Sequence, residues 1–360
     1  MTNSPAMARR ATFEFTGTAW GYSKLWLVNL LLTVVTLGIY GAWAKVRNNQ
    51  YLYGHTQLDQ HRLQYLAQPM QILMGRLFAL GVLLVLSALS ALFPVLNIAL
   101  LIVMVFVFPW LIMQGMKFTY RNTAYRNVRF EFTGTYMGAL VHFLVFPIIS
   151  LLTLYLAAPW AMKRIHQYLF GNCEFGGRPI ALNTSNKVYY KAALVLVLVF
   201  VAFSAIFFGS IAGTAMGMAG SMEGLNPEDK AQAMALALSG IIVPIMLLTY
   251  FMGFLVQAIF NSMIRNHIVN NLSCEEVATF ESNVTVKGYL VLMITNALLL
   301  LITLGLAFPA TKARKIRYLS GCTTAILEPG IEHLANTVEA TKGAIGEEAA
   351  GLFDADLSIV

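Results

Sequence analysis

The chain has 360 residues, of which 58% are hydrophobic and only 11% charged, with 24 Lys and Arg against 17 Asp and Glu and a net charge of +7. Soluble globular domains carry roughly 25% charged residues, so this composition excludes an ordinary soluble fold, a disordered chain, a collagen and a disulfide scaffold. The basic residues lie at helix ends rather than on one face, which argues against nucleic acid and for basic flanks on anionic lipid.

Residues 1–12 form an N-terminal tail without an apolar core of signal-peptide type, so insertion is expected to begin at the first internal apolar segment. Seven apolar stretches follow: Leu25–Ala44, Leu77–Phe93, Val95–Met116, Ala139–Trp160, Ala192–Thr214, Ala233–Ala258 and Tyr289–Ala310. Each falls within or near the ~17–25 residues that a spanning helix needs. Only Phe93-Pro94 separates the second from the third, which predicts a tight helical hairpin. A polar linker with Glu223, Pro227, Glu228, Asp229 and Lys230 joins the fifth to the sixth. Pro147 and Pro244 predict kinks that membrane helices tolerate.

An internal repeat organises the chain. Shifting residues 13–54 by 117 and by 267 positions, without gaps, leaves ten of 42 positions identical in all three copies. They include Phe13, Phe130 and Phe280; Thr18, Thr135 and Thr285; Gly21, Gly138 and Gly288; Arg47, Arg164 and Arg314; and Tyr51, Tyr168 and Tyr318. The layout is repeat motif 1 (13–68), helical hairpin 1 (69–120), motif 2 (121–187), hairpin 2 (188–266), motif 3 (267–321) and an acidic cytoplasmic tail (322–360). Arg121-Asn122 and Arg265-Asn266 form a weaker echo after the two hairpins.

Each motif opens on an alternating aromatic stretch such as Phe13-Glu14-Phe15, which favours a strand. A helix follows and bends near Thr36-Leu37-Gly38, or near Pro159 and Pro309 in the later copies. A short amphipathic helix then begins. On it Trp43, Arg47 and Tyr51 share a face at i, i+4, i+8, as Trp160, Arg164 and Tyr168 do in motif 2, with Arg314 and Tyr318 in motif 3. Trp and Tyr favour the headgroup level and Arg snorkels there, so these residues are candidate interfacial anchors or headgroup contacts. Trp is not required by the repeat, because Ala310 replaces it in motif 3.

Asn29 and Asn296 share a repeat position inside apolar helices, where a polar group must find a partner. They predict interhelical hydrogen bonds or, with Thr33, the lining of a polar path. His142 is expected to pack or to meet solvent at a helix end. Gly209, Gly213 and Gly217, four residues apart, predict close helix packing. The apolar cores hold no Asp or Glu, which disfavours a proton- or cation-coupled carrier. Cys173, Cys274 and Cys322 are scattered, with no CxxC and no His at ligand spacing, so neither zinc nor a disulfide is expected. Without a catalytic constellation, P-loop or GxGxxG, the chain is expected to be neither an enzyme nor a cofactor protein.

The run TGTAWGYSKLWLVNLLLTVVTLGIYGAWAKVRNNQYLYGHT and the tail GEEAAGLFDADLSI resemble the YjgN-like family of bacterial inner-membrane proteins. The resemblance covers nearly the whole chain. It implies a multi-pass helical fold in the inner membrane and no particular activity, because the family is one of unknown function.

Two topologies remain open. Seven full spans divide the basic residues ten to fourteen, against the positive-inside tendency, but give the inverted repeats known in transporters. If the three motif helices only dip into the membrane, the split is 23 to 1, with Lys230 alone on the far side. The expected fold is an all-α polytopic membrane protein with about seven embedded helices, a threefold repeat and short strand additions at the cytoplasmic face. The functional expectation is a small-solute pore or carrier. The alternative is a scaffold that uses its basic aromatic helices on anionic headgroups. Either role is compatible with a homo-oligomer.

Overall fold

The computed structural model describes residues 8–93, 96–221 and 226–332. Residues 333–360 of the expected acidic tail, and Glu223 of the polar linker, lie outside the described residues.

The expectation of an all-α fold with seven spans is overturned. Eleven short strands form one antiparallel sheet, and four helices among the described residues are long and apolar enough to cross a membrane. The strands are β1 (Arg9–Thr12), β2 (Glu14–Phe15), β3 (Thr56–Leu58), β4 (His61–Tyr65), β5 (Thr123–Tyr125), β6 (Val128–Phe132), β7 (Cys173–Phe175), β8 (Arg178–Leu182), β9 (Leu272–Cys274), β10 (Ala278–Ser282) and β11 (Thr323–Leu327). They pair in the order β1-β11-β10-β9-β8-β7-β6-β5-β4-β3-β2. Only Phe13 separates β1 from β2. One stretch of chain therefore pairs with β11 on one side and β3 on the other, and the sheet closes on itself as a small barrel. Side chains from strands all round it meet in one core, including Leu58, Tyr125, Phe175, Cys274, Ala325 and Leu327.

Tight turns set the strand register. Asp59-Gln60, Arg126-Asn127 and Gly176-Gly177 all have positive φ at both residues, the two-residue geometry whose twist matches antiparallel strands.

Among the described residues, ten α-helices rise from the barrel as five hairpins. They are α1 (Ala19–Val35) and α2 (Gly41–Gly54), α3 (Pro69–Leu92) and α4 (Leu96–Arg121), α5 (Tyr136–Leu152) and α6 (Ala158–Gly171), α7 (Asn186–Ser221) and α8 (Pro227–Val269), and α9 (Val286–Ile302) and α10 (Phe308–Gly321). A π-helical turn over Val141–Val145 lies inside α5, just before Pro147. Helices adjacent in sequence pack against each other, and α10 packs against α1, so the helices form a closed ring. Each hairpin leaves one strand of the barrel and returns to the next. Five equivalent backbone bonds mark the seams: Thr16 to His55, Leu66 to Asn122, Thr133 to Asn172, Asn183 to Asn271 and Asn283 to Cys322, at 2.8, 2.8, 2.8, 3.1 and 3.0 Å. The three sequence repeats are thus the short members of a fivefold structural repeat. The seams make Asn122 equivalent to Asn271, so the Arg265-Asn266 echo lies earlier on its helix than the sequence comparison implies.

The three short hairpins are built on apolar helices shorter than the four candidate spans. Helices α1 and α9 have 17 residues each, about 25 Å of helix, against ~30 Å of hydrocarbon. Each then reverses. In the first, the Gly38 N–H bonds the Thr33 carbonyl and the Leu37 N–H the Val34 carbonyl, at 2.8 and 3.1 Å, a helix-ending Schellman pattern. The same pair of bonds recurs at Tyr155 and Leu154, and at Gly305 and Leu304. The hydroxyls of Thr36, Thr153 and Thr303 accept from the N–H of Tyr40, Ala157 and Ala307 at 3.0, 3.1 and 3.1 Å, starting the return helix. Leu37, Leu154 and Leu304 stand 94%, 85% and 92% exposed at the three tips. Such tips suit an apolar medium.

One buried contact ties the second short hairpin to the next. His166 Nδ1 lies 3.0 Å from the Tyr189 hydroxyl, and burial lowers the imidazole pKa from 6.5 to about 4. The unfolded chain therefore binds the extra proton first, and stability is lost as pH falls from 6.5 towards 4. The thermal midpoint of the purified protein should drop over that window, and His166→Asn should flatten the drop.

The topology makes a direct prediction. In a cysteine-free background, Glu14→Cys and Gln60→Cys should react with an impermeant thiol reagent from the same side of the membrane. Leu37→Cys should be protected from both sides. Labelling of Glu14→Cys and Gln60→Cys from opposite sides would mean that α1 crosses.

Candidate functional site

The repeated residues first build a clasp. The hydroxyls of Thr18, Thr135 and Thr285 cap their helices, accepting from the N–H of Gly21, Gly138 and Gly288 at 3.0, 3.2 and 3.2 Å. From the return helix, the hydroxyls of Tyr51, Tyr168 and Tyr318 donate to the carbonyls of the same threonines at 3.2, 2.8 and 3.4 Å. A Cβ on any of the three glycines would collide with that tyrosine, which explains why glycine recurs there. Burial pushes the Tyr168 phenol up to about 12, so it remains a donor. His142 stacks on Tyr168 at 4.8 Å, with Nδ1 2.7 Å from the Gly138 carbonyl.

The other candidates lie around this clasp. Exposed Arg47 donates to the Tyr40 hydroxyl at 2.7 Å, and Tyr40 stacks on Trp43. Exposed Arg164 sits 6.0 Å from the Trp160 ring, within cation–π range. Arg314 donates to the Thr295 hydroxyl at 2.9 Å. Asn29 donates to the Asn48 side chain at 2.9 Å, and Thr33 donates to the Asn29 carbonyl at 2.7 Å. Asn296 makes a 3.4 Å contact to the Thr311 carbonyl. The two asparagines thus link the helices of their own short hairpins. Gly209, Gly213 and Gly217 are exposed on α7, with open space where a Cβ would stand.

A different set of residues meets on the axis. A cavity of about 280 Å³ runs from the barrel interior up between the ends of the five returning helices. Tyr53, Thr119, Tyr120, Arg265 and Lys312 line its helical part, and Leu58, Tyr125, Phe175, Cys274, Val277 and Leu327 its barrel part. The lining is mostly apolar. It includes two cationic side chains and, among the described residues, no carboxylate. Arg265 donates to the Thr323 hydroxyl at 2.9 Å, joining α8 to β11. Cys173 and Cys274 also face the cavity, and burial raises their thiols to about 12 and about 11. They are poor nucleophiles at neutral pH. No three metal-ligating side chains cluster among the described residues.

Sequence reasoning did not find this cavity, because each hairpin contributes only a few positions, far apart in the chain. Arg265 was visible as half of the weaker echo, and the near-equal length of the segments that join the helix pairs, 55–68, 122–135, 172–185 and 270–285, could have pointed to the barrel.

Comparison with known proteins gives the family of the chain. A family model described as a bacterial protein of unknown function (DUF898) matches residues 10–352. The inner membrane protein YjgN of Salmonella typhimurium is 24% identical over 343 residues, which covers 86% of this chain and 87% of the relative. The protein of the same name from Escherichia coli O157:H7 is 24% identical over 344 residues, covering 84% and 85%. No solved structure gives a significant match. With nearly its full length matched and four helices apolar enough to cross a bilayer, the chain belongs to the DUF898 family of YjgN-like bacterial inner-membrane proteins.

Proposed function

We propose that the chain is a multi-pass lipid-interacting protein with its barrel on the cytoplasmic side, engaging anionic headgroups of the inner leaflet, rather than an enzyme or a polar-solute pore. One observation carries the reading: all five hairpins start and end at one sheet. That arrangement leaves Lys230 as the one basic residue among the described residues on the far side, and basic residues mark the cytoplasmic side. The described C-terminal residues then lie in the cytoplasm as well. Three short hairpins with exposed leucine tips would occupy one leaflet only. Arg47 and Arg164, exposed beside Tyr40 and Trp160, are suited to phosphate at the headgroup level, with Arg314 at the same repeat position.

Transport of a small solute along the axis is the second reading, favoured by the closed ring of helices around the cavity. Against it, the barrel part of the cavity is lined by apolar side chains. The polar candidates Asn29 and Asn296 are engaged within their own hairpins.

Lipid selectivity tests the proposal. Purified protein in nanodiscs of mixed phosphatidylcholine and phosphatidylglycerol should retain phosphatidylglycerol preferentially when lipids are stripped stepwise. The triple variant Arg47→Gln, Arg164→Gln, Arg314→Gln should lose that preference, since each basic residue near an anionic surface contributes about 1 kcal/mol. Equal retention of the two lipids by the unmodified protein would sink the reading.

A further inference from the structure

The turn end of the barrel, opposite the rim that carries the helices, divides into a basic and an acidic side. On the basic side lie the β3–β4 and β5–β6 turns. Arg62 and Arg126 are cross-strand neighbours there, because the β4–β5 register that pairs Leu63 with Tyr125 continues to them. Like charges placed opposite each other repel. Arg62 is exposed and has no ion pair among the described residues. Arg126 Nη1 is shielded from water without a hydrogen-bond partner among the described residues, so its guanidinium gains from a nearby carboxylate. The one carboxylate in these turns, Asp59, is held by Arg9. On the acidic side, the β9–β10 turn carries exposed Glu275 and Glu276, and Glu328 follows β11. Arg178 pairs with Glu276 alone.

The chain leaves the barrel on that acidic side. The Glu328 N–H bonds the Val277 carbonyl at 2.8 Å, Ile331 packs into the barrel core, and Glu332 is the last described residue. Beyond it the sequence carries Glu339, Glu347, Glu348, Asp354 and Asp356 against Lys342. Like charge disfavours contact of these carboxylates with Glu275, Glu276 and Glu328, and the arginines across the end attract them. From β11 the route through β1–β2 and β3 reaches β4 in three strand steps and β5 in four, about 14–19 Å at ~4.8 Å per step. The chain from Glu332 to Glu339 spans at most about 25 Å, so every one of the five carboxylates is within reach. Lipid headgroups are not, because the strands place the turns roughly 17 Å from the helix rim, beyond the ~8 Å over which exposed charges act at physiological salt.

We propose that segment 333–360 docks on the basic side of the barrel's turn end in its own chain, with its carboxylates on Arg62 and Arg126. The inference does not rest on the headgroup reading. Docking neutralises the two arginines, and release presents both to any other acidic partner.

Cross-linking of the full chain in liposomes tests this. Arg62→Lys and Arg126→Lys keep the charge and supply amines that a zero-length carbodiimide joins to a contacting carboxylate. Peptides linking position 62 or 126 to 333–360 are expected. In an equal mixture of isotope-labelled and unlabelled protein, each link should join peptides of like label. Mixed pairs would mean docking between copies and would overturn the assignment to one chain. Tryptic cleavage after Lys342 gives a second readout, each rate taken relative to a synthetic 333–360 peptide of the same sequence. Arg62→Gln with Arg126→Gln should speed cleavage about three- to tenfold, the range for two exposed ion pairs, and high salt should do the same to the unmodified protein. Neutralising the segment instead, with Glu339→Gln, Glu347→Gln, Glu348→Gln, Asp354→Asn and Asp356→Asn, should have the same effect. It leaves the barrel untouched and carries the test if the arginine variant fails to fold. No link from 62 or 126 to the segment, or one relative cleavage rate in all three proteins, would sink the proposal.

Discussion

The fold depends on a single stretch of backbone, residues 9–15, that belongs to both edges of the sheet. An antiparallel sheet of strands this short would otherwise expose two rows of unpaired N–H and carbonyl groups, each a site for unwanted pairing. Here β1 satisfies β11, and after one residue β2 satisfies β3. Closure removes both edges. It also forces every helix pair to leave from and return to the same rim, because the strands that flank each pair are locked to their neighbours. The membrane topology is therefore a consequence of the barrel. A helix that begins and ends on one rim crosses as half of a pair or does not cross at all.

The tips of the short hairpins are understood in the same terms. Leu37, Leu154 and Leu304 take φ values near +50°, a conformation that costs an L-residue roughly 1–2 kcal/mol. Glycine or asparagine would relieve the strain. Moving a leucine side chain out of water gains about 1.5–3 kcal/mol, so leucine prevails where the surroundings are lipid. The strained leucine at each tip is thus a physical marker of depth. It agrees with helices of about 25 Å, shorter than the ~30 Å of a typical hydrocarbon core.

The motif residues explain why three repeats were legible and five were not. Thr18, Gly21 and Tyr51, with their two sets of equivalents, form a clasp whose geometry tolerates no larger residue at the glycine, so the pattern survives as identical letters. The long hairpins α3–α4 and α7–α8 make the same seam bonds through backbone atoms at Leu66, Asn122, Asn183 and Asn271. Backbone bonds constrain side chains weakly, and their sequence signal fades. The strands were legible only where aromatic residues alternate, as at Phe13-Glu14-Phe15. Elsewhere they run to three to five residues, too short for a period-2 pattern to stand out, and Asp59-Gln60 and Arg126-Asn127 turn without glycine. The seven apolar stretches were real. Their division into four long helices and three reversing ones needed the Schellman turns that the Thr-Leu-Gly and Thr-Leu-Tyr steps make.

The interior does not share the symmetry of the frame, and that contrast bears on function. Counting back six residues from each seam acceptor gives Asn49, Met116, His166, Arg265 and Ile316. Four of these face the cavity. One level of a fivefold scaffold thus presents an amide, a thioether, a guanidinium and a branched alkyl group. A pore selecting a small ion along its axis gains from identical groups placed around it, as in rings of carbonyls or like charges. Unlike groups at one level instead distinguish one side of a bound molecule from the other. The repeated frame then supplies rigidity and closure, and the four unrepeated positions that face the cavity set its chemistry.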